Sequence, residues 1–405
     1  MLKFNQLGSI QEKYCFDYMK KFYTAIFLPL LMTFSLAQAI VIVPKAPNID
    51  VTSYALLDAE TGTIIASLDE TTMIKPASIT KLMTAYATFQ AINEEQVRLD
   101  DPVRISQRAS SIGGSTMFLN PYMDVTIDDL LKGMIIVSGN DASVALAEHL
   151  AGSEETFAEY MNMYAEALGL NNTNYTNASG LDDDDHYSSA LDMAMLASQI
   201  IKEFPEYFNL YSERSYSFDQ AKDPQTKEPI VQYNRNRLLR RDASIDGMKT
   251  GYTSSAGYCL VATAEKNSMR LIAVVTGAKS SEDRNNSAYA LLNYGFRFFE
   301  KQLLVENGKT YGKAEVWKGV DDEIDLVASK DVVKTITKGI SKDIERRIDI
   351  FEPIIAPVDR NKVIGKLTVT YEGKVLAESS LYAKTNIEQD GLWGWLYDSA
   401  LLLFE

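Results

Sequence analysis

The distribution of apolar residues divides the chain into four stretches. The first is a run from Phe22 to Leu36 that follows Lys20-Lys21 and ends at Ala37-Gln38-Ala39. A charged start, an apolar middle and a small-x-small site form the pattern of a secretory signal peptide. The run is short for a bilayer span. Glu12 and Asp17 interrupt residues 1–18, which points to Met19 as the initiator. Residues 1–39 are therefore expected to be a signal peptide cleaved near Ala39 on export, with an uncleaved anchor as the alternative.

The second stretch, residues 40–299, changes period twice. Residues 40–50, with Pro44 and Pro47, read as a linker. The runs Tyr54-Ala55-Leu56-Leu57 and Thr63-Ile64-Ile65-Ala66 flank a turn around Glu60-Thr61-Gly62, which predicts a β-hairpin. Helical spacing follows over residues 77–91, 127–150, 154–168 and 189–202. Strands return at 257–264 and 270–277, separated by the polar turn Glu265-Lys266-Asn267-Ser268, and a last helix covers 282–299. Strands at both ends with helices between predict one sheet whose edges come from both ends of the domain, with a helical insert.

After Phe299 the pattern becomes short alternating strands, as in Arg347-Ile348-Asp349-Ile350 and Lys366 to Tyr371. Residues 300–385 are expected to form a small all-β domain. The last stretch, 386–405, ends in an amphipathic pattern. On a helical wheel Gly394, Asp398 and Glu405 make a narrow polar strip, and Trp393, Trp395, Leu396, Tyr397, Leu402, Leu403 and Phe404 cover the rest. It is too short to span a bilayer, and its Trp and Tyr content suits a membrane interface. Residues 390–405 are expected to attach to a membrane surface, with docking on the β domain or a partner as the alternative. No lysine or arginine follows Lys384, so attachment would rest on apolar insertion.

Length and charge narrow the field. At 405 residues two domains are natural, and a formal net charge of −15 argues against non-specific nucleic-acid binding. Of the two cysteines, Cys15 would leave with the signal, so no intrachain disulfide is expected. Cys259 lies in an apolar strand-like run and reads as a buried thiol.

The candidate chemistry begins at Ser78-Ile79-Thr80-Lys81, where a hydroxyl and an amine three residues apart share one helix face. Serine needs a neighbouring base, and lysine serves as one only where burial or a nearby cation lowers its pKa. Ser138-Gly139-Asn140 and Lys249-Thr250-Gly251 follow. Each is a weak signal alone. In this order, S-x-x-K, S-x-N and K-T-G mark class A β-lactamases and penicillin-binding proteins.

With these motifs the chain resembles the exported D-alanyl-D-alanine carboxypeptidases, low-molecular-mass penicillin-binding proteins of the serine type. Gly180-Leu181, His186 to Asp192, Asn234-Arg235-Asn236 and Asp246 to Gly251 match as well. The resemblance implies an α/β (α+β) serine β-lactamase/penicillin-binding-protein-like transpeptidase domain, an antiparallel sheet with helices and a helical insert, plus a small all-β second domain. It implies a periplasm-facing enzyme, held at the inner membrane by its C-terminal helix, that trims peptidoglycan stem peptides ending in D-Ala-D-Ala and is acylated by β-lactam antibiotics. Ser78 would be the nucleophile and Lys81 its base. Lys249, expected to stay a cation, would help keep Lys81 neutral and attract the substrate carboxylate. Ser138 would pass the proton to the leaving amine, and Asn140 would hold the substrate amide and orient Lys81. The backbone N–H groups of Ser78 and Tyr252 would form the oxyanion hole beside Gly251. Thr250, Arg235 and Arg284 would grip the carboxylate, Arg235 and Arg284 having surface ion pairing as their alternative.

His186 is expected to support a loop and His149, placed on an apolar helix face, to be structural. No HExxH or Cys/His cluster supports a metal, no cofactor is implied, and Asp182–Asp185 reads as a solvated acidic loop rather than a calcium site. Relatives often carry histidine where Tyr252 stands and glycine where Ser255 stands. A class A β-lactamase needs a deacylating glutamate, and no E-x-x-L-N stretch lies between Ser138 and Lys249. The intact Ser78, Lys81, Ser138, Asn140 and Lys249 argue against a non-catalytic penicillin-binding scaffold. A transpeptidase would share the acyl-enzyme and differ only in its acceptor.

Overall fold

The structure, a computed structural model, describes residues 43–401. The signal-like segment, Cys15 and residues 402–405 of the tail lie outside the described residues. Five antiparallel strands form the central sheet: β1 (Ser53–Asp58), β2 (Ile64–Leu68), β5 (Ile245–Thr253), β6 (Gly257–Lys266) and β7 (Met269–Ala278). Their order is β2-β1-β7-β6-β5, so the two edges come from opposite ends of this part of the chain. Between them runs the hairpin β3 (Ser215–Lys222) and β4 (Pro229–Tyr233).

Alternation along the central strands decides which residue meets which layer. Leu57, Val261 and Val274 face the main core with helices α1 (Lys81–Asn93), α2 (Ile127–Ile136), α3 (Asn140–Ala151) and α5 (Ala190–Glu203). Leu56, Leu260 and Val275 face the other way, against Ala288, Leu291 and Leu292 of α6 (Ser281–Phe298). A sheet covered on both faces explains why these strands read as continuous apolar runs. Cys259 is fully buried, and burial pushes its thiol up to about 11. Serine caps open several helices, among them Ser153 before α4 (Glu154–Ala167), Ser189 before α5 and Ser280 before α6.

Three expectations need correction. The helix expected over 127–150 is two helices, α2 and α3, broken at Ser138, whose φ is +67°. A left-handed serine costs about 1–2 kcal/mol, and the packing around it holds the chain in that conformation. The helix expected from residue 77 begins at Lys81. Ala77–Thr80 is instead a tighter 3₁₀ turn, with Ala77 at φ +50°. His149 is exposed near the end of α3 rather than on its buried face.

Residues 299–383 are β apart from one 3₁₀ turn at Ile340–Asp343. Six strands pair in the order β12 (Glu345–Ile350), β14 (Val363–Tyr371), β15 (Lys374–Ala383), β10 (Glu323–Ala328), β9 (Thr310–Trp317) and β13 (Ile354–Ile355). The two remaining strands, β8 (Phe299–Val305) and β11 (Val332–Thr337), pair with each other. Asp58 joins this domain to the hairpin β1–β2. Its Oδ1 accepts from the N–H groups of Glu60 and Thr61, each at 3.0 Å, and its Oδ2 accepts from Thr335 Oγ1 at 2.9 Å. Helix α7 (Leu392–Leu401) follows, with Asp398 accepting from the Lys318 N–H and the Lys318 ammonium 4.7 Å from the Trp395 ring centre. Among the described residues, no helix is long and apolar enough to cross a membrane.

One packing contact fixes the loop that brings the Ser179 carbonyl to Lys81. Gly180 has φ +83°, and a methyl group there would lie 1.9 Å from the Ala77 carbonyl oxygen. Gly180→Ala therefore meets both a left-handed penalty and backbone overlap, together costing about 2–5 kcal/mol. Chemical denaturation should show a lowered midpoint; an unchanged one would refute this packing.

Candidate active site

Ser78 sits in the 3₁₀ turn just ahead of α1. Side chains three apart on such a turn eclipse one another, so Ser78 and Lys81 meet, with Lys81 Nζ 3.0 Å from Ser78 Oγ. Lys81 Nζ also lies 2.7 Å from Asn140 Oδ1 and 2.5 Å from the Ser179 carbonyl oxygen. The Asn140 amide is oriented by its Nδ2, which donates to the Gly113 carbonyl at 2.7 Å. Two of the three partners of Nζ are thus pure acceptors. A neutral amine has two N–H groups and one lone pair, so its N–H groups go to those oxygens and its lone pair faces the Ser78 hydroxyl.

Burial favours that neutral form. Lys81 is 1% exposed, and desolvation lowers its pKa to about 7. The carboxylates of Asp141 and Glu154 pull it back up, and the Arg235 guanidinium pushes it down. Burial raises the Asp141 carboxyl, while hydrogen bonds from the Leu119, Met117 and Ala142 N–H groups work against that rise.

Ser138 is displayed by the left-handed break between α2 and α3. Lys249, on β5, donates from Nζ to Ser138 Oγ at 2.7 Å and to the Thr250 carbonyl at 3.1 Å. Its pKa is held well below the ordinary lysine value by burial first, then by Lys81, Arg235 and Arg284. Burial and the neighbouring positive charges thus both work against the cation expected at Lys249. Asp141 and Glu154 support a charge on Lys81, and no carboxylate does the same for Lys249.

β5 runs hard against the 3₁₀ turn. A methyl group on Gly251 would lie 3.1 Å from the Ser78 nitrogen and 2.9 Å from the Pro76 carbonyl oxygen. The next residue, Tyr252, is half-exposed, its ring 4.3 Å from that of Tyr258. A cavity of about 590 Å³ opens here. Ser78, Ser138, Arg235, Thr250, Gly251, Tyr252 and Arg284 line it, and Lys81, Asn140 and Lys249 lie buried behind its wall. Arg284 is almost wholly buried on α6, where Nη2 donates to Ser281 Oγ at 3.1 Å and Nε to Asn285 Oδ1 at 3.2 Å. Burial lowers its pKa to about 10.

His186 is buried, its Nδ1 accepting from the Thr176 N–H at 3.1 Å and its Nε2 2.8 Å from Thr80 Oγ1. Burial lowers its pKa to about 4, so the neutral ring donates from Nε2 to Thr80 and ties the loop to the turn that carries Ser78. Asp182–Asp185 is exposed, and no grouping of acidic, His or Cys side chains suited to a metal occurs among the described residues.

Sequence reasoning missed several partners. The Ser179 carbonyl is a backbone group and leaves no residue signature. Asp141 directly follows Asn140, and its adjacency to the motif was the one signal it carried. Tyr233, Arg237 and Arg240, which also line the cavity, carried none.

The sequence model of D-alanyl-D-alanine carboxypeptidase matches residues 40–280, and that of the penicillin-binding protein 5 C-terminal domain matches 299–389. D-alanyl-D-alanine carboxypeptidase DacC of Escherichia coli is 37% identical over 368 residues, 89% of this chain and 90% of that protein. The crystal structure of penicillin-binding protein 5 from Haemophilus influenzae has a TM-score of 0.75 at 38% identity, covering 86% of this chain and 100% of that one. Penicillin-binding protein D2 from Listeria monocytogenes, in its ampicillin-bound form, has a TM-score of 0.55 at 28% identity, covering 62% of this chain and 100% of that one. With both sequence models in succession and a relative matched over nearly its whole length, the chain belongs to the D-alanyl-D-alanine carboxypeptidase family.

Proposed function

We propose that Ser78 is the nucleophile with which this chain, a serine-type D-Ala-D-Ala carboxypeptidase and penicillin-binding protein of cell-wall metabolism, removes the terminal D-alanine of peptidoglycan stem peptides. The observation that carries the assignment is the set of partners at Lys81 Nζ, two acceptor oxygens and the Ser78 hydroxyl. Neutral Lys81 takes the Ser78 proton as Oγ attacks the carbonyl between the two D-alanines. Ser138, hydrogen-bonded to Lys249, returns a proton to the departing amine. The backbone N–H groups of Ser78 and Tyr252 stabilise the oxyanion, each such donor being worth on the order of 100-fold in rate. Water then hydrolyses the acyl-enzyme. Thr250, Lys249, Arg235 and Arg284 hold the terminal carboxylate, an arginine matching a planar anion by paired bonds. A β-lactamase or an idle scaffold is not favoured, since the relatives matched over most of the chain are carboxypeptidases.

The same reading includes acylation by β-lactams, supported by the ampicillin-bound relative. It places the chain outside the cytoplasm, supported by the signal-like residues 20–39, with residues 390–405 at the membrane surface. Leu392, Leu396 and Tyr397 are exposed on α7, which suits apolar insertion.

Wild-type protein should release D-alanine from a D-Ala-D-Ala peptide, and Ser78→Ala should lose at least about 1,000-fold in rate. Intact mass after penicillin exposure should show one adduct on the wild type and none on Ser78→Ala; an adduct on both would displace Ser78 from its role. Because Lys81 is a base only when unprotonated, kcat/KM should rise with pH through about 7. A flat profile across that range would exclude Lys81 as the base. Deleting 390–405 should release the protein from lipid vesicles, and unchanged partitioning would reject the anchor.

A further inference from the structure

The cavity holds more positive charge than one substrate carboxylate needs. Its lining includes Arg235, Arg237, Arg240 and Arg284 and no acidic side chain, in a chain whose formal net charge is −15. The arginine ion pairs among the described residues are those of Arg108, Arg270 and Arg347, so none of the four cavity arginines has an acidic partner within 4 Å. Glu282 shares an adjoining shallow depression with Arg237 but forms no ion pair with it. A terminal carboxylate has only about four acceptor positions, and Thr250, Lys249, Arg235 and Arg284 are the groups assigned to it above.

Local structure aims the remaining two. Arg237–Arg240 is a single 3₁₀ turn, in which positions i and i+3 eclipse. Arg237 and Arg240 therefore face the cavity together, while Leu238 and Leu239 between them are buried in the core. Asn236 fixes the turn, its Oδ1 accepting from the Leu238 N–H at 3.1 Å and its Nδ2 donating to the Gly247 carbonyl on β5 at 2.9 Å. Arg240 is steadied by the Tyr233 ring, 4.9 Å away. The turn follows Arg235 directly, so it adjoins the carboxylate end of the substrate.

We propose that Arg237 and Arg240 form a second anion-binding point on the leaving-group side of the cavity, suited to a D-amino acid with a side-chain carboxylate. The inference rests on the carboxypeptidase reading above and adds a substrate class to it. Such a residue has two possible sources. As the leaving group, it departs when Ser78 Oγ bonds to the acyl carbon and the C–N bond breaks, the Ser78 proton ending on its amine. As an incoming acceptor, its uncharged amine attacks the acyl carbon, the Oγ–C bond breaks and the amine proton returns to Ser78.

The test compares peptides ending in D-Ala-D-Glu and D-Ala-D-Gln, which differ in charge but hardly in shape, with D-Ala-D-Ala as the reference. The wild type should favour D-Glu over D-Gln in kcat/KM by about tenfold. That preference should shrink between about 0.01 M and about 1 M salt and fall to about one in Arg237→Gln/Arg240→Gln. Arg241→Gln, whose guanidinium stacks 4.1 Å from the Tyr289 ring, should keep it. Single Arg240→Gln, an exposed position, serves if the double variant fails to fold, and should lower the preference by at least half. Adding free D-Glu or D-Gln during turnover of the D-Ala-D-Ala peptide, and measuring exchanged product, tests the acceptor source. Preference for the acid in release or in exchange supports the anion point; absence of both overturns it. A wild type that releases D-Ala but treats D-Glu and D-Gln alike removes only this inference, whereas failure to release D-Ala removes the reading beneath it.

Discussion

One lone pair organises the site. Lys81 Nζ is walled in by two oxygens that can only accept, and the remaining direction points at Ser78. Neither lysine chemistry nor serine chemistry alone produces this. It requires Asn140 turned by the Gly113 carbonyl and the Ser179 carbonyl pressed inward by a loop whose Gly180 has no side chain to hold it off. It also requires burial deep enough to make the ammonium form expensive.

The scaffold supplies those conditions from distant parts of the chain. The 3₁₀ turn brings Ser78 to Lys81, the break between α2 and α3 presents Ser138 and Asn140, and the edge strand β5 presents Lys249 and Thr250. Each piece departs from regular geometry at the candidate site: left-handed Ala77 and Ser138, and a glycine at 251 where strand and turn nearly touch. A sheet buried on both faces is stiff enough to hold such departures.

Much of this was readable in advance. The order of S-x-x-K, S-x-N and K-T-G, the hairpin at the start, the strand pair at 257–277 and the alternating second domain all follow from period and motif. The errors share one cause. Residues 127–150 carry helical spacing throughout, and nothing local announces that Ser138 turns left-handed, because contacts from the loop at 113–120 and from Lys249 hold it there. His149 follows the spacing of the buried face but lies near the helix end, where that face reaches solvent. The depressed pKa of Lys249 depends on which charges gather around it in space, a property that no single stretch of sequence contains.

The Asp58 junction has a mechanical consequence. Both oxygens of that carboxylate are engaged, one in the hairpin turn and one across to Thr335. The hairpin occupies the sheet edge opposite Lys249, with strands β7 and β6 lying between β1 and β5. Three strand spacings, about 14 Å, thus separate this joint from the edge that carries Lys249. Load crossing the Asp58 joint therefore enters the sheet three strands away from Lys249, whereas the chain link from β8 into α6 leads toward Arg284.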